Sequence, residues 1–393
     1  MTRAARSLLI VAIAALVPAL PARADPADTA TPDAAAIARA RHTITNFLVR
    51  RAGLVTADAP GLVGRLDHKG VIGAKQAFGL TADGSPARFA VEYANSLDSF
   101  AKTAHREPRP RKNPLDRLKA HGPLDSRWRP PAPATGRLRS PFDMWVRATW
   151  SHAGGDQVRR DFGSLYLGTD YRADPSLLIG ILTELDWTDD IDAKAGTATR
   201  GFGWMIGPYV EKRLSRALTF SGRAQWGLSS DTVGLATGAA SFGSMRWFAN
   251  ARLLGDCSSG NWRFSPEVNA IYFAGRQNRY VDGFGAGIPA QAVSLGRLTF
   301  GPGMSYAFHI GRARFAPGIA IRGIWDFDQA LMVDLDSGAP KASPPDIHAR
   351  VEVRLPVNFS NGVSFAAEGY YGGIGTAGFH PYGASLKIKI PLG

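Results

Sequence analysis

The sequence predicts an all-β fold: a 12-stranded antiparallel up-and-down β-barrel that crosses a membrane, preceded by a short helical or disordered N-terminal region. Three observations predict it. Long segments alternate between apolar and polar residues, the number of these segments is even, and short connections alternate with longer ones. All three are typical of barrels in a bacterial outer membrane.

The alternation is clearest in IHARVEVRLPVNF, residues 347–359, where apolar residues occupy the odd positions and mostly ionic or polar residues the even ones. Strands in soluble proteins usually have about five or six residues, whereas a tilted strand that crosses a bilayer needs about 9–11. A length of 13 residues therefore favours a membrane strand. The twelve predicted strands are 142–152, 162–172, 176–188, 201–213, 217–228, 242–256, 261–274, 293–309, 312–326, 347–359, 363–372 and 381–390.

The connections support the same architecture. Outer-membrane barrels have short periplasmic turns and longer outer loops. The short connections here are 173–175, 215–217, 258–260, 311–312 and 360–362. One of the longer ones contains Asp189, Asp190 and Asp192, which we therefore expect in an outer loop.

Prolines interrupt the pattern at several points. Each proline removes a hydrogen bond from the ladder between strands. Bulges or strand ends are therefore expected at Pro208, Pro266, Pro302, Pro317 and Pro356.

Charged residues fall almost entirely on the less apolar face of each predicted strand, with Lys212 as an exception. An Arg or Lys that faces lipid at the midplane costs about 2–4 kcal/mol. A one-residue slip of 347–359 would expose both Arg350 and Arg354 and would cost roughly 4–8 kcal/mol. The charges predicted to face the lumen are Arg147, Glu184, Arg223, Arg252, Glu267, Arg297, Arg322, Arg350, Glu352, Arg354 and Glu368.

The first residues predict an exported protein. Arg3 and Arg6 precede the apolar run 8–17, and Ala22 and Ala24 form an A-x-A cleavage site, so we expect residues 1–24 to be a signal peptide. No later segment of the sequence is long and apolar enough for a membrane-spanning helix. Membrane association is therefore assigned to strands.

Residues 25–140 are predicted to be an N-terminal region of helical segments and a Pro/Arg-rich linker, followed by the barrel domain at 141–393. Thr31 as a cap and Pro32 at the first position predict a helix over 33–52 that ends near Gly53. A second helix is predicted over 88–104.

Composition excludes several functions. The net charge of +13 divides into +3 for the signal segment, +8 for residues 25–140 and +2 for residues 141–393, so the large C-terminal part is nearly neutral and no nucleic-acid partner is expected. Histidines have no metal-ligand spacing, and no hydrolase or nucleotide motif occurs in a fitting context. We therefore expect no cofactor, no metal and no enzyme activity. A membrane-embedded hydrolase that uses Asp189 and Asp190 is the alternative that the outer-loop acids leave open.

Taken together, FDMWVRATWSH, DFGSLYLGTDYRADPSLLIGILTELDWTDD, GWMIGPYVEKRLSRALTFSGRAQWG, RWFANARLLGD and YGASLKIKI resemble the translocator β-domain of alphaproteobacterial autotransporters, the proteins of type V secretion. The resemblance covers residues 141–393. The segment HTITNFLVRRAGL, residues 42–54, resembles the helix that often precedes this domain.

The resemblance implies a monomeric outer-membrane barrel with an α-helical segment in its lumen, which exports or displays its N-terminal segment. It implies insertion by the β-barrel assembly machinery, with periplasmic chaperones as further partners. The implied assembly signal in the last strand is Gly383, Leu386, Ile388 and Ile390. A porin-like channel or structural protein plugged by its N-terminal segment is the alternative. The sequence leaves open whether residues 25–140 are exported, cleaved or retained.

Overall fold

The computed structural model of the chain describes residues 34–66, 73–81, 87–96, 142–155, 158–194, 196–235, 238–281, 287–288, 290–329, 347–360, 363–376 and 380–391. In these ranges the chain forms one helix, α1 (Ala34–Asp58), and 21 strands. The strands are β1 (Gly73–Thr81), β2 (Ala87–Ser96), β3 (Phe142–Gly155), β4 (Val158–Asp174), β5 (Leu177–Asp192), β6 (Thr197–Ser215), β7 (Leu218–Leu235), β8 (Gly238–Gly255), β9 (Cys257–Ser259), β10 (Trp262–Phe264), β11 (Glu267–Gln277), β12 (Tyr280–Val281), β13 (Gly287–Ile288), β14 (Gln291–Gly301), β15 (Gly303–Tyr306), β16 (Phe308–Ile310), β17 (Ala313–Phe315), β18 (Gly318–Gln329), β19 (Ile347–Phe359), β20 (Ser364–Ile374) and β21 (Tyr382–Pro391).

Nineteen of the strands form one sheet, and β12 and β13 form a separate pair. All pairings in the large sheet are antiparallel, and every one of the twelve predicted segments contributes strand residues to it. Pro266, Pro302 and Pro317 lie at breaks between strands, as predicted, because a proline cannot donate to the ladder. Pro208 and Pro356 lie inside β6 and β19.

The sheet has more than the predicted twelve strands for two reasons. Breaks divide three predicted segments into shorter strands and β9 forms beside them, and the N-terminal region contributes a hairpin. β1 pairs with β21, β2 pairs with β3, and β1 pairs with β2. The helix predicted over 88–104 is therefore wrong over 88–96, which lie in β2, and residues 97–104 lie outside the described residues. Phe89, Val91 and Tyr93 alternate with Arg88 and Glu92, and this period of two fits a strand. The hairpin pairs the free edges of β3 and β21, which would otherwise carry unsatisfied backbone groups.

The strands also extend further than predicted at one end. β4 to β8 have between 16 and 19 residues, whereas about 9–11 suffice to cross a bilayer. Asp189, Asp190 and Asp192, predicted in a loop, lie in β5. In β4 and β5 the prediction missed this extension because charged residues on both faces hide the period of two there.

The two ends of the sheet differ in their connections. At one end, called the turn end below, tight turns join β4 to β5 and β6 to β7. Gly260 and Gly311 have φ values of 56° and 58° in two of the other tight turns there, a conformation that glycine adopts without strain. The opposite end, called the loop end, contains the last residues of β5 and β11 and the first residues of β6 and β14.

The two faces of the sheet differ in chemistry. The inner face contacts α1 and contains buried polar residues, while the outer face exposes large apolar side chains such as Ile181, Ile321 and Val353. Outer-face aromatic pairs form two belts. Near the turn end these pairs are Phe142–Tyr171, Trp262–Tyr306, Phe308–Phe315 and Phe359–Phe365, and further along they are Trp204–Trp226 and Trp325–Phe327. Two aromatic girdles that flank an apolar band are typical of outer-membrane barrels.

Helix α1 packs its apolar side chains against the inner face. Ile44, Phe47, Leu48 and Val55 are buried in one cluster with residues of β4, β6, β7, β8, β11 and β14. The helix passes through Gly53, where its end was predicted, and stops at Asp58. A glycine inside a helix costs roughly 1 kcal/mol, and the burial of Ala52, Leu54 and Val55 offsets that cost. In the described ranges, no helix has the length and apolar character that crossing a membrane would need.

Candidate functional site around the interior helix

The segment that contains α1 and the residues up to Leu66 follows the inner face of the sheet from the loop end to the turn end. At the loop end, the Thr45 hydroxyl donates to Gln291 Oε1 at 2.6 Å. Midway, Asp58 accepts hydrogen bonds from Thr149 and from Ser164. Near the turn end, Glu211 accepts from the backbone N–H groups of Gly64 at 2.7 Å and Leu66 at 3.0 Å. The direction of the segment is therefore fixed by contacts at three levels.

Arg51 is the central ionic contact of α1. Its Nε donates to Asp186 Oδ1 at 2.7 Å, and its Nη1 pairs with Asp231. Arg246 donates to the other Asp186 oxygen at 2.7 Å, so two arginines balance two carboxylates. The side chains of Arg51, Asp186, Asp231 and Arg246 are at most 4% exposed. Removing one partner from such a buried pair costs about 3–5 kcal/mol, because the other charge stays buried.

Two glycines of β6 make room for these arginines. A Cβ on Gly201 would lie 2.4 Å from Arg51 Nη1, and a Cβ on Gly203 would lie 2.3 Å from Arg246 Nη2. Both glycines have the inner-face parity of their strand. Because β6 has glycine at these two positions, Arg51 of the helix and Arg246 of the sheet can both reach Asp186.

The acidic residues near the loop end are engaged in ion pairs. Arg50 of α1 pairs with Asp190, and Arg200 pairs with Asp189 at 3.2 Å. In the described residues, no group of three His, Cys, Asp or Glu side chains could hold a metal ion. The carboxylates considered for hydrolysis are therefore used to fix the helix and the neighbouring strands.

The residues that follow α1 are clamped at the turn end. The Arg65 guanidinium lies 3.6 Å from the centre of the Trp145 ring and 3.5 Å from Asp170. Trp145 Nε1 donates to the Tyr209 hydroxyl at 3.0 Å. Trp145, Tyr209 and Leu66 belong to a second buried cluster. These contacts hold Arg65 and Leu66 against β3, β4 and β6, nearer the turn end than the helix.

Five of the predicted lumen charges form a continuous ionic ladder over five neighbouring strands, β8, β11, β14, β18 and β19, of which β14 contributes none of the five charges. Glu267 contacts Arg252 at 2.8 Å and Arg322 at 3.2 Å. Glu352 contacts Arg322 at 3.7 Å and Arg350 at 2.6 Å. Each charge has an opposite neighbour, which lowers the cost of keeping ions on a face away from bulk water.

The other predicted charges lie elsewhere on the same face. Arg297 makes a two-bond contact with Asp326, at 2.6 and 3.1 Å. Glu184 and Arg223 are buried in the middle of the sheet. Arg147, Arg354 and Glu368 have the inner parity of their strands, with Arg354 opposite Glu368 in the ladder.

The remaining predicted positions concern the chain ends. Gly383, Leu386, Ile388 and Ile390 lie in β21, which pairs with β20 on one side and β1 on the other. Leu386 is 43% exposed on the outer face. Ala22 and Ala24 lie outside the described residues.

Sequence reasoning missed the partners of α1. Asp231 lies in a part of β7 that was predicted to be a loop, and Arg246 was not singled out. Two signals were present in the sequence: the adjacent arginines Arg50 and Arg51 in an otherwise apolar helical segment, and the shared parity of Arg246 and Arg252.

Comparisons with known proteins identify the family of the chain. Residues 141–369 match a family model described as the autotransporter beta-domain. Curated protein sequences give no significant match. Among solved structures, the β-domain of the Bordetella autotransporter BrkA has a TM-score of 0.42 and 14% identity, covering 63% of this chain and 98% of its own.

Two further solved structures are similar at the same low level. The translocator domain of NalP from Neisseria meningitidis has a TM-score of 0.41 and 10% identity, with 92% and 100% of the two chains covered. The transport unit of AIDA-I from Escherichia coli has a TM-score of 0.39 and 11% identity, with 88% and 97% covered. The family match over residues 141–369 carries the assignment.

Proposed function

Because the chain belongs to the autotransporter β-domain family, whose members are outer-membrane translocators that export a passenger, we propose that its sheet closes into a barrel with α1 retained in the lumen. The pairings support closure: they lead from β3 through β21 to β1 and β2, and from β2 back to β3. In lipid a closed sheet leaves no unpaired edge.

The proposal assigns the turn end to the periplasm and the loop end to the cell surface, since short turns are periplasmic in outer-membrane barrels. The domain boundaries change accordingly. The barrel includes residues 73–96 in addition to residues 141–393, and residues 34–66 occupy the lumen. The predicted linker then connects Ser96 to Phe142, which are both near the turn end, because Ser96 pairs with Asp143.

The direction of α1 carries the functional proposal. Thr45 contacts Gln291, the first residue of β14 at the loop end. The helix begins eleven residues earlier, at Ala34, and at 1.5 Å per residue this places its start about 16 Å further toward the cell surface. This direction of α1 supports export of the preceding segment to the cell surface. The helix is the trailing part of an exported segment and remains as the plug.

Insertion by the β-barrel assembly machinery, delivery by periplasmic chaperones and a monomeric state are parts of the same proposal, as is the alphaproteobacterial type. The pattern of β21 supports the assembly signal, and the resemblance of the quoted motifs supports the type. The eleven predicted charges become the ionic lining of the lumen. Cleavage after Ala24 makes residue 25 the start of the exported chain.

A tag placed just before Ala34 is expected to be accessible to antibody on intact cells, because the helix delivers that end to the surface. The same tag placed in the 97–141 segment is the matched control, and it becomes accessible only after the outer membrane is permeabilised. Surface accessibility of the second tag and protection of the first would contradict the assigned direction.

A further inference from the structure

The outer face of the sheet contains a groove near the turn end. The cavity has a volume of about 780 Å³, within the range of about 300–1,000 Å³ that is usual for ligand sites. Phe142 and Tyr171, whose ring centres are 4.9 Å apart, form one rim. Ile179 and Ile181 form a side wall and are 44% and 49% exposed.

The floor of the groove is low because small residues replace the large ones found elsewhere on this face. Pro208 of β6 lies beside Gly222 and Ala224 of β7. The Phe220 ring leans over Gly222, with Cζ 3.1 Å from where a Cβ would be. Aromatic rims and an apolar floor match the shape and chemistry of an extended acyl chain.

Cationic residues lie directly below the groove. Lys212 is two residues beyond Val210, a lining residue of the groove, so it lies about 7 Å further toward the turn end. Its ammonium group donates to Ser176 Oγ at 2.9 Å, lies 3.7 Å from Asp174 and has a side chain that is 36% exposed. Arg216 is exposed in the following turn. Lys212 is also the exception, in the sequence, to the placement of charged residues on the less apolar face of each strand.

We infer that this groove and Lys212 together form a binding site for one anionic glycerophospholipid of the periplasmic leaflet. One acyl chain lies between the Phe142–Tyr171 pair and Phe220, and the phosphate meets Lys212 and Arg216. An ammonium group has three donors, so a lipid phosphate can join Ser176 and Asp174 as a further partner of Lys212 and is attracted by its charge. The choice of leaflet rests on the proposed assignment of the turn end to the periplasm, whereas binding of the lipid does not require export.

Native mass spectrometry of the full chain, extracted with mild detergent and supplied with phosphatidylglycerol or phosphatidylethanolamine of identical acyl chains, tests the site. One phosphatidylglycerol is expected to be retained in preference. Lys212→Gln is expected to weaken its retention about fivefold, and Arg216→Gln to weaken it in the same direction. Arg200→Gln is the matched control, because Arg200 is an outward cation of β6 at the loop end.

Ala224→Trp fills the groove and is expected to abolish retention of both lipids. Ala349→Trp, on the outer face of the distant strand β19, is expected to leave retention unchanged. Equal retention in Lys212→Gln and Arg200→Gln overturns the inference. Detection of a protein dimer without bound lipid also overturns the inference, because a second copy of the chain would then occupy the groove. Surface display of the N-terminus is unaffected by either result, so failure here is distinguishable from failure of the proposed function.

Discussion

Arg51→Met is expected to make the protein conduct ions across a bilayer, because it weakens the contact that holds the proposed plug, α1, on the inner face. In the native protein Arg51 and Arg246 balance Asp186 and Asp231 in a region that is almost fully buried. Methionine preserves the volume and the helix propensity but leaves two carboxylates with one arginine. The loss of a partner from such a group costs about 3–5 kcal/mol, so displacement of α1 from the inner face is expected to become about 10²–10⁴ times more frequent than in the native protein.

Planar-bilayer recordings measure this effect directly. The native chain is expected to remain closed with rare openings, and Arg51→Met to open frequently. Arg200→Gln provides the control, since it removes an arginine from an exposed pair with Asp189. Such pairs contribute about 0–1 kcal/mol. A steady open pore in the native chain favours the porin-like alternative, and identical closed traces for native protein and Arg51→Met contradict the plug.

Ile321→Arg is expected to destabilise the folded protein in lipid by about 2–4 kcal/mol, the cost of an arginine that faces the hydrocarbon midplane. Ile321 is 53% exposed on the outer face of β18, between the two aromatic belts. Unfolding by urea in phospholipid vesicles measures the change, and assembly into outer membranes should fall in parallel.

The matched control for this change is Thr232→Arg. Thr232 is also on the outer face but lies six residues beyond Trp226 of the second belt, toward the loop end. There the cost of an arginine is about 0–1 kcal/mol. Equal destabilisation by the two arginines would mean that the outer face does not meet hydrocarbon at the level of Ile321.

The strands of residues 142–390 could be predicted because their information is local. In 347–359 the alternation of apolar and ionic residues sets both the strand and its faces, and the observed strand Ile347–Phe359 has the same limits. The prolines at 266, 302 and 317 mark strand breaks for the same local reason, the missing N–H.

The remainder could not be predicted because it depends on distant parts of the chain. The hairpin of β1 and β2 forms where β3 and β21 present free edges, 46 residues and more from Ser96 in sequence. Whether α1 continues past Gly53 depends on the apolar inner face that receives Leu54 and Val55. The pairing of Arg51 with Asp186 and Asp231 joins residues 135 and 180 positions apart. Periodicity contains no information about such contacts.

Helix α1, which precedes the sheet in sequence, packs against its inner face. Disulfide formation between Asp58→Cys and Thr149→Cys, in a Cys257→Ser background, tests this most directly in native outer membranes. Asp58 and Thr149 have short side chains in direct hydrogen-bond contact, and Cys257 is exposed and would compete. The account predicts an efficient intramolecular cross-link for this pair and none for Asp58→Cys with Trp150→Cys, since Trp150 faces outward. Absence of the first cross-link, or equal yields from the two pairs, would contradict it.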